Sequence, residues 1–345
     1  MLNDDHHHMK KYAKKSTIKQ PSLFQAYMSL DGSKPKLALL GASPIGFVKA
    51  VKAFAPFLKA MRRVRENQPH ICITELVASD PLLNHLQQQS AVDFVREHGI
   101  EKISDRLLGP AGGAIYMSDW RELNALFFCL GATWIGLGSL TGNGLSYYDW
   151  SGVVPKLTKG YEDKIVIDTV TSVRSIDDGK AFEVSSGSQS WVAKNLVLAL
   201  PGAARVAFAE AVGIKENASP ATNVPLHVFH IKGKRRDYYK PGCSLMLGMK
   251  EKVPMFFVLP STKGQIDVLY ATIPDPVLED YYESYEVIEE KHWEPVVQLR
   301  SGKFQKLQPK SNVFMIGDHN IGGLEESFLT GLFAANKIIA ASRNG

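Results

Sequence analysis

Apolar and polar positions change their period several times along the chain, and each change marks a new element. Phe47 to Asn67 reads as a helix, kinked or split at Pro56. Ile71 to Leu76 reads as a strand, and so does Lys36 to Leu40. Asp80 to Leu108 is amphipathic at helical spacing, through Leu82, Leu83, Leu86, then Val92, Phe94 and Val95. Gly109 to Gly113 predicts a loop, Trp120 to Leu130 a helix and Val153 to Gly160 a short helix. Ile165 to Gly187 alternates as strands do, with a turn at Asp177-Asp178-Gly179. Trp191 to Leu200 predicts one more strand, closed by Pro201-Gly202. Val224–Ile231, Ser244–Leu247, Met255–Leu259 and Gln265–Ala271 form a strand-rich block with a basic hairpin tip at Lys232 to Arg236. Asp280 to Lys291 is acidic and predicts a helix.

The last stretch has the sharpest pattern. Val313 to Ile316 is a short apolar run that stops at Gly317, so a buried strand is expected. Gly317, Asn320, Gly322 and Gly323 break regular structure. A helix then begins near Leu324, with Leu324, Phe328, Leu332 and Ala335 on one stripe. Glu325 and Glu326 fall in its first turn, where carboxylates suit the positive end of the dipole.

Composition narrows the class. With 345 residues, 45% of them hydrophobic, the chain can bury a large core in two domains or one large one. A net charge of +5 without a long cationic block does not imply a nucleic-acid partner. Cys72, Cys129 and Cys243 share no close spacing, which argues for a reducing, cytoplasmic setting and against a disulfide framework or a zinc site. Ala125 to Leu140 is the longest apolar run; Gly131, Gly136 and Gly138 break it, so it reads as a core helix and a glycine-rich turn, not an integral membrane segment. Residues 1–30 read as a flexible basic arm, and His6, His7 and His8 as a solvated run. His227 and His230 fall on opposite faces of a strand and do not suit a shared metal.

The chemistry of the last stretch follows from its predicted shape. A tight turn leaves main-chain N–H groups unpaired at a helix start, where they can hold an anion or an electron-rich ring edge. Asp318, at the strand end, can accept hydrogen bonds from sugar or sugar-alcohol hydroxyls. Gly331, Ala334 and Ala335 keep the helix slim enough to lie close to a sheet or a cofactor. The bland alternative is an ordinary terminal strand–helix pair of an α/β protein.

Gly317-Asp318, a short loop, and then Gly322, Glu325, Ser327, Thr330, Gly331, Ala334 and Ala335 in order resemble the C-terminal flavin-binding motif of the FAD-dependent amine oxidase superfamily. That group holds amine oxidases, protoporphyrinogen oxidase and phytoene-desaturase-like enzymes. The resemblance implies an α/β chain: an incomplete FAD-binding, Rossmann-like domain with an interleaved α+β substrate domain. It implies that Gly317 and Asp318 meet the ribityl or pyrophosphate part of FAD, and that Glu325, Glu326 and Ser327 open the helix facing the flavin ring. Glu326 departs from the small residue usual there. Val173 matches a valine whose main chain meets the adenine. Ala199, Leu200 and Pro201 match a strand end near the cofactor, and Trp293 matches a tryptophan near the flavin. The implied division is a helical part of the substrate domain at 31–145, an FAD-domain segment at 146–205, a β-rich substrate domain at 206–300 and a final FAD-domain strand and helix at 301–345.

The 345 residues hold no G-x-G-x-x-G turn between a strand and a helix, the unit that cradles the FAD pyrophosphate in that family. A shortened reading frame, a second chain that supplies the unit, and a relic without FAD are the three explanations. The leading expectation is an FAD-dependent oxidoreductase that oxidises a C–N or C–C bond of a small molecule. The alternatives are a non-catalytic or split-subunit scaffold, and an NAD-dependent enzyme using Gly41 to Gly46, where Ser43 and Pro44 stand in place of glycine and a free N–H. No catalytic acid or base is assignable.

Overall fold

The computed structural model describes residues 8–15, 26–29, 36–37, 43–133, 148–200, 202–215, 221–237, 244–247, 255–261, 264–299 and 304–344. A 3-10 turn at Met9–Lys11 comes first, followed by strands β1 (Lys14–Lys15), β2 (Ala26–Ser29) and β3 (Lys36–Leu37). Helix α1 (Pro44–Asn67) follows; Ser43 caps it by accepting the Gly46 N–H at 3.0 Å. The helix runs through Pro56 as one element, so it is not split there. Pro56 is exposed, so the carbonyl it leaves unpaired faces water, while Ala53, Phe54, Phe57 and Ala60 hold the buried face.

The run expected as a strand at Ile71 to Leu76 is instead helix α2 (Ile73–Ser79). Ile73 and Val77, one turn apart, are fully buried, and Glu75 sits in its first turn. Burial at helical spacing has overridden the β-branched composition. Asp80 caps α3 (Pro81–Gln88) and pairs with Arg63 at 2.7 Å; Ser90 caps α4 (Ala91–Glu97). Helix α5 (Glu101–Ile103) passes through a π-helical turn at Ser104–Leu108 into α6 (Gly109–Tyr116). The glycines expected to form a loop therefore lie in a helix. A Cβ on Gly131, the last residue of α7 (Ala125–Gly131), would stand 2.6 Å from the Gly112 Cα, so the glycines let α6 and α7 meet backbone to backbone. Every residue of α7 is buried. The part of the apolar run from Trp134 to Leu140, like Pro201 and Cys243, lies outside the described residues.

Strand β4 (Tyr148–Asp149) pairs with β1. Helix α8 (Val153–Thr158) leads to the meander of β5 (Val170–Ile176), β6 (Ala181–Ser186) and β7 (Ser190–Ala193). The single strand expected at Trp191 to Leu200 is two, because the chain changes sheet. After β7 pairs antiparallel with β6, β8 (Leu196–Leu198) pairs in parallel with the final strand. Helix α9 (Gly202–Ala211) covers one face of that pair.

A seven-stranded sheet adds β9 (Ala221–Arg235), β10 (Ser244–Leu247), β11 (Met255–Ser261), β12 (Gly264–Ala271) and β13 (Tyr282–Leu299) to β2 and β3. The acidic run expected as a helix at Asp280 to Lys291 is thus mostly β13. A helix would stack its carboxylates on one another, whereas β13 sets Glu289 against His230 and Glu290 against His227 on β9, both at 3.0 Å. The expected basic tip at Lys232 to Arg236 is a continuation of β9, and Arg235 is buried. The chain closes with β14 (Val313–Met315) and α10 (Leu324–Asn344). Phe314 faces the helical core beside Phe333 of α10, while Val313 and Met315 face a second core with Val173, Phe182, Leu196, Leu198 and Ala209. No helix among the described residues is long and apolar enough to cross a membrane.

Candidate functional site

The strand–turn–helix of the last stretch sits where two hydrophobic cores meet, which fixes it on both sides. Gly317, Gly322 and Gly323 have φ of +134°, +83° and +105°, and these angles are why the turn needs glycine. Thr330, in the second turn of α10, accepts the Gly317 N–H at 3.0 Å and ties the strand end to the helix. Asp318 is exposed, and one of its oxygens lies 3.4 Å from the Gly323 N–H it accepts. The first-turn N–H groups of Leu324, Glu325 and Glu326 have no acceptor among the described residues. They stand at the positive end of a 21-residue helix beside the Asp318 carboxylate.

Below the turn lies a group of buried polar side chains that sequence reasoning did not single out. Asn320 is fully buried, accepts the Gln305 N–H at 2.8 Å and donates to its carbonyl at 3.0 Å, which pins the loop. His319 is 2% exposed, and neither ring nitrogen has a hydrogen-bond partner among the described residues. Burial, helped by the Arg205 charge, pushes its pKa down to about 3, so the ring is neutral. The side-chain amide of Gln305 is also buried without a partner. Buried polar groups are normally satisfied, so these mark a place where a ligand or water belongs. The visible signal was a histidine directly after Gly317-Asp318 in a glycine-rich turn.

The two glutamates of the first turn point elsewhere. The Glu325 carboxylate accepts the main-chain N–H groups of His8 and Met9 at 2.9 and 3.0 Å, and the His8 ring lies on Phe328. Glu326 points into the core and accepts from Gln68 of the Gln68–Glu326 pair, while its Oε1 has no partner. Burial pushes its pKa up to about 7, against the opposing pull of Gln68 and Arg65. Glu326 therefore stands aside from the helix start, and its bulk does not block the main-chain donors. Ser327 returns a hydrogen bond to the Gly323 carbonyl.

The other residues singled out in the sequence are spread over several elements. Val173 on β5 is buried in the second core with β8 and β14. Ala199 follows β8 and is exposed, at the same end of the parallel pair as Gly317. Trp293 lies on β13 opposite Leu226, half exposed. The Gly46 end of the glycine-containing turn borders a cleft of ≈ 500 Å³ lined also by Lys49, Lys102 and Arg106. There Ser43 takes the Gly46 N–H, and a Cβ on Gly46 would meet Ser43 Oγ at 3.0 Å. That glycine serves the helix cap, not a pyrophosphate.

The turn fits part of an FAD molecule. Free main-chain donors suit the ring edge, and the exposed Asp318 suits a hydroxylated chain. Among the described residues nothing resembles a cradle for its two phosphates.

No protein-family model and no curated protein sequence matches the chain. Solved structures do. The fold is that of the amine oxidase and protoporphyrinogen oxidase structures, the fold that the final motif implied. A redesigned putrescine oxidase aligns with a TM-score of 0.62 at 11% identity, over 99% of this chain and 87% of that one. A putative protoporphyrinogen oxidase from Exiguobacterium sp. 255-15 gives 0.56 at 10% identity, over 99% and 86%. A CLA-producing fatty acid isomerase from P. acnes gives 0.59 at 13% identity, over 95% and 81%. The last of these is an isomerase, so one fold here carries more than one reaction.

Proposed function

We propose that this chain is an FAD-dependent oxidoreductase of the amine oxidase and desaturase type, acting on a C–N or C–C bond of a small molecule in a reducing, cytoplasmic setting. The observation that carries the proposal is the row of N–H groups at Leu324, Glu325 and Glu326, without an acceptor among the described residues, beside the exposed Asp318 carboxylate, on a fold shared with amine oxidases. When bound, FAD supplies the two-electron acceptor for a hydride equivalent. This chain's part is to orient it and to steady negative charge at its ring edge through the helix start. Asp318 would accept hydroxyl hydrogen bonds, and His319, neutral and buried, would give and take one each. Ala199 follows the strand beside that turn, Val173 backs it from the core, and Pro201 would extend the same cofactor-facing end.

The test is an absorbance spectrum across the flavin bands, taken on protein purified from its own cells and again after saturating FAD. We expect flavin bands in the wild type and their loss in Asp318→Ala. A wild-type protein that stays colourless in both spectra, or an Asp318→Ala variant with undiminished flavin, would overturn the assignment.

A further inference from the structure

Helix α1 is apolar on the side that faces water as well as on the side that faces the core. Ala53, Phe54, Phe57 and Met61 are buried. On the other side Val48, Val51, Ala55 and Leu58 follow at steps of three, four and three, the spacing of a single stripe. Val48 is 52% exposed, Val51 41% and Leu58 42%, and Ile45, one turn earlier, is 73% exposed. A helix packed on one side carries polar residues on the other. An aliphatic stripe in that place marks a surface that another body covers.

Charge identifies that body. Lys49, Lys52 and Lys59 stand four places after Ile45, Val48 and Ala55, so ammonium groups run along the edge of the stripe. The helix holds six Lys or Arg and one Glu, and so accounts by itself for the chain's net charge of +5. Its one acid, Glu66, lies 4.0 Å from Arg62, and Arg63 is taken by Asp80. Lys49, Lys52 and Lys59 pair with no carboxylate among the described residues. At the start of the helix, Ile45, Gly46 and Lys49 line the ≈ 500 Å³ cleft together with Lys102 of α5 and Arg106 of the π-helical turn. Ile45 and Lys49 belong to both features, so the cleft and the stripe share one surface. Lys102 and Arg106 have no carboxylate partner among the described residues either, and Glu101 is the one acid in the described lining. Three unpaired cations around a cleft suit a phosphate, and aliphatic side chains beside them suit acyl chains. An anionic bilayer offers both at once. A nucleic acid would leave the stripe unused, since no aromatic ring of the helix is among its exposed residues for a base to stack on.

We propose that α1 is a membrane-docking helix. It lies in the plane of an anionic bilayer, with Ile45, Val48, Val51 and Leu58 at the boundary of headgroups and acyl chains. Lys49, Lys102 and Arg106 hold a lipid headgroup phosphate in the cleft, and Lys52 and Lys59 reach back to neighbouring headgroups. No helix among the described residues is long and apolar enough to cross a membrane, so the contact runs along the helix and not through the bilayer. The docking does not depend on what the candidate flavin site binds.

The test is co-sedimentation of the full chain with phosphatidylcholine vesicles, with and without about 25% phosphatidylserine, in low salt and in about 0.5 M salt. We expect pelleting with the anionic vesicles, little with the neutral ones, and loss of most of it in high salt. Each of Lys49→Gln, Lys102→Gln and Arg106→Gln should weaken the binding by about fivefold. Val48→Ser, Val51→Ser and Leu58→Ser together should weaken it by about a hundredfold. All six side chains are exposed, so thermal unfolding should match the wild type, which separates lost docking from lost folding. Equal binding to neutral and anionic vesicles, binding to neither, or wild-type binding by both sets of variants would overturn the proposal. Inorganic phosphate that raises the unfolding temperature of a chain no vesicle retains would make the cleft a free-anion site and overturn the docking. A dimer dispersed by the three serine changes, with no vesicle binding, would assign the stripe to a second copy of this chain and overturn it too.

Discussion

The carboxylate of Glu325 accepts the main-chain N–H of Met9 at 3.0 Å, across 316 positions of sequence. A second oxygen takes the His8 N–H and faces the His8 ring nitrogen, both at 2.9 Å. The segment His8 to Tyr12 is thereby strapped across the start of α10, with the rings of His8 and Tyr12 against Phe328. A buried carboxylate at a helix N-terminus is well placed to do this, since the dipole supports its charge. Glu325→Ala would leave two main-chain donors without an acceptor, at a cost of about 2 kcal/mol. Denaturant titration should show that loss. Trypsin should also cut at Lys10, Lys11, Lys14 or Lys15 several times faster in the variant than in the wild type.

Glu326 makes the fold sensitive to rising pH. Its pKa is raised from 4.5 to about 7 in the folded chain by burial. The folded state therefore holds a proton that the unfolded state has released between those values. Its contribution is fully present below pH 4.5 and is lost as pH rises through 7. Glu326→Gln keeps the bond with Gln68 and removes the titration. The variant should match the wild type near pH 4.5 and exceed it by about 3 kcal/mol above pH 7.5. Urea midpoints across that range check the slope, and a pH-independent difference would refute the assignment.

His319 acts in the opposite sense. Its pKa falls from 6.5 to about 3 on folding, chiefly through burial. Below pH 6.5 the unfolded chain takes up a proton that the folded chain refuses, so this stability is present above pH 6.5 and drains away toward pH 3. His319→Leu removes that drain. At pH 5 the variant should retain about 2 kcal/mol that the wild type has lost relative to pH 7. Measuring it in the Glu326→Gln background separates the two opposing slopes.

The course of the last stretch was legible because its signals are local. Val313 to Met315 form a strand, Gly317 turns the chain and Leu324 opens the helix, as their spacing predicts. The meander at β5 and β6, with its turn at Asp177 to Gly179, was legible for the same reason. What failed depended on partners far away in sequence. The acidic run from Tyr282 onward reads as a helix until the long β9 strand is placed beside it. Gly109 to Gly113 reads as a loop until α7 is pressed against it. In the site, Asp318 and the helix start were visible as a motif, whereas His319 and Gln305 matter through burial, which no spacing rule reports.

Arg235 and Asp267 show most clearly what the strand-rich block gains by pairing. The guanidinium makes two bonds to the carboxylate, at 2.9 and 2.7 Å, and both side chains are 3% exposed. The Tyr282 hydroxyl donates to the same carboxylate, so one acid joins β9, β12 and the start of β13. Burial raises the Asp267 pKa, and the nearby charge of Arg235 and the Tyr282 hydrogen bond oppose the rise. Removing two ions from water costs nearly as much as their attraction returns, so the intact pair adds little net stability. Breaking it is different, because the survivor is stranded in an apolar sheet. Asp267→Asn should therefore cost about 3–5 kcal/mol, while the double change Arg235→Met with Asp267→Leu should cost far less than either single change. A double-mutant cycle on urea unfolding decides the matter: additive losses would mean that the two side chains act independently, and a strong positive coupling would mean that the pair fixes the register of β9 against its two neighbours.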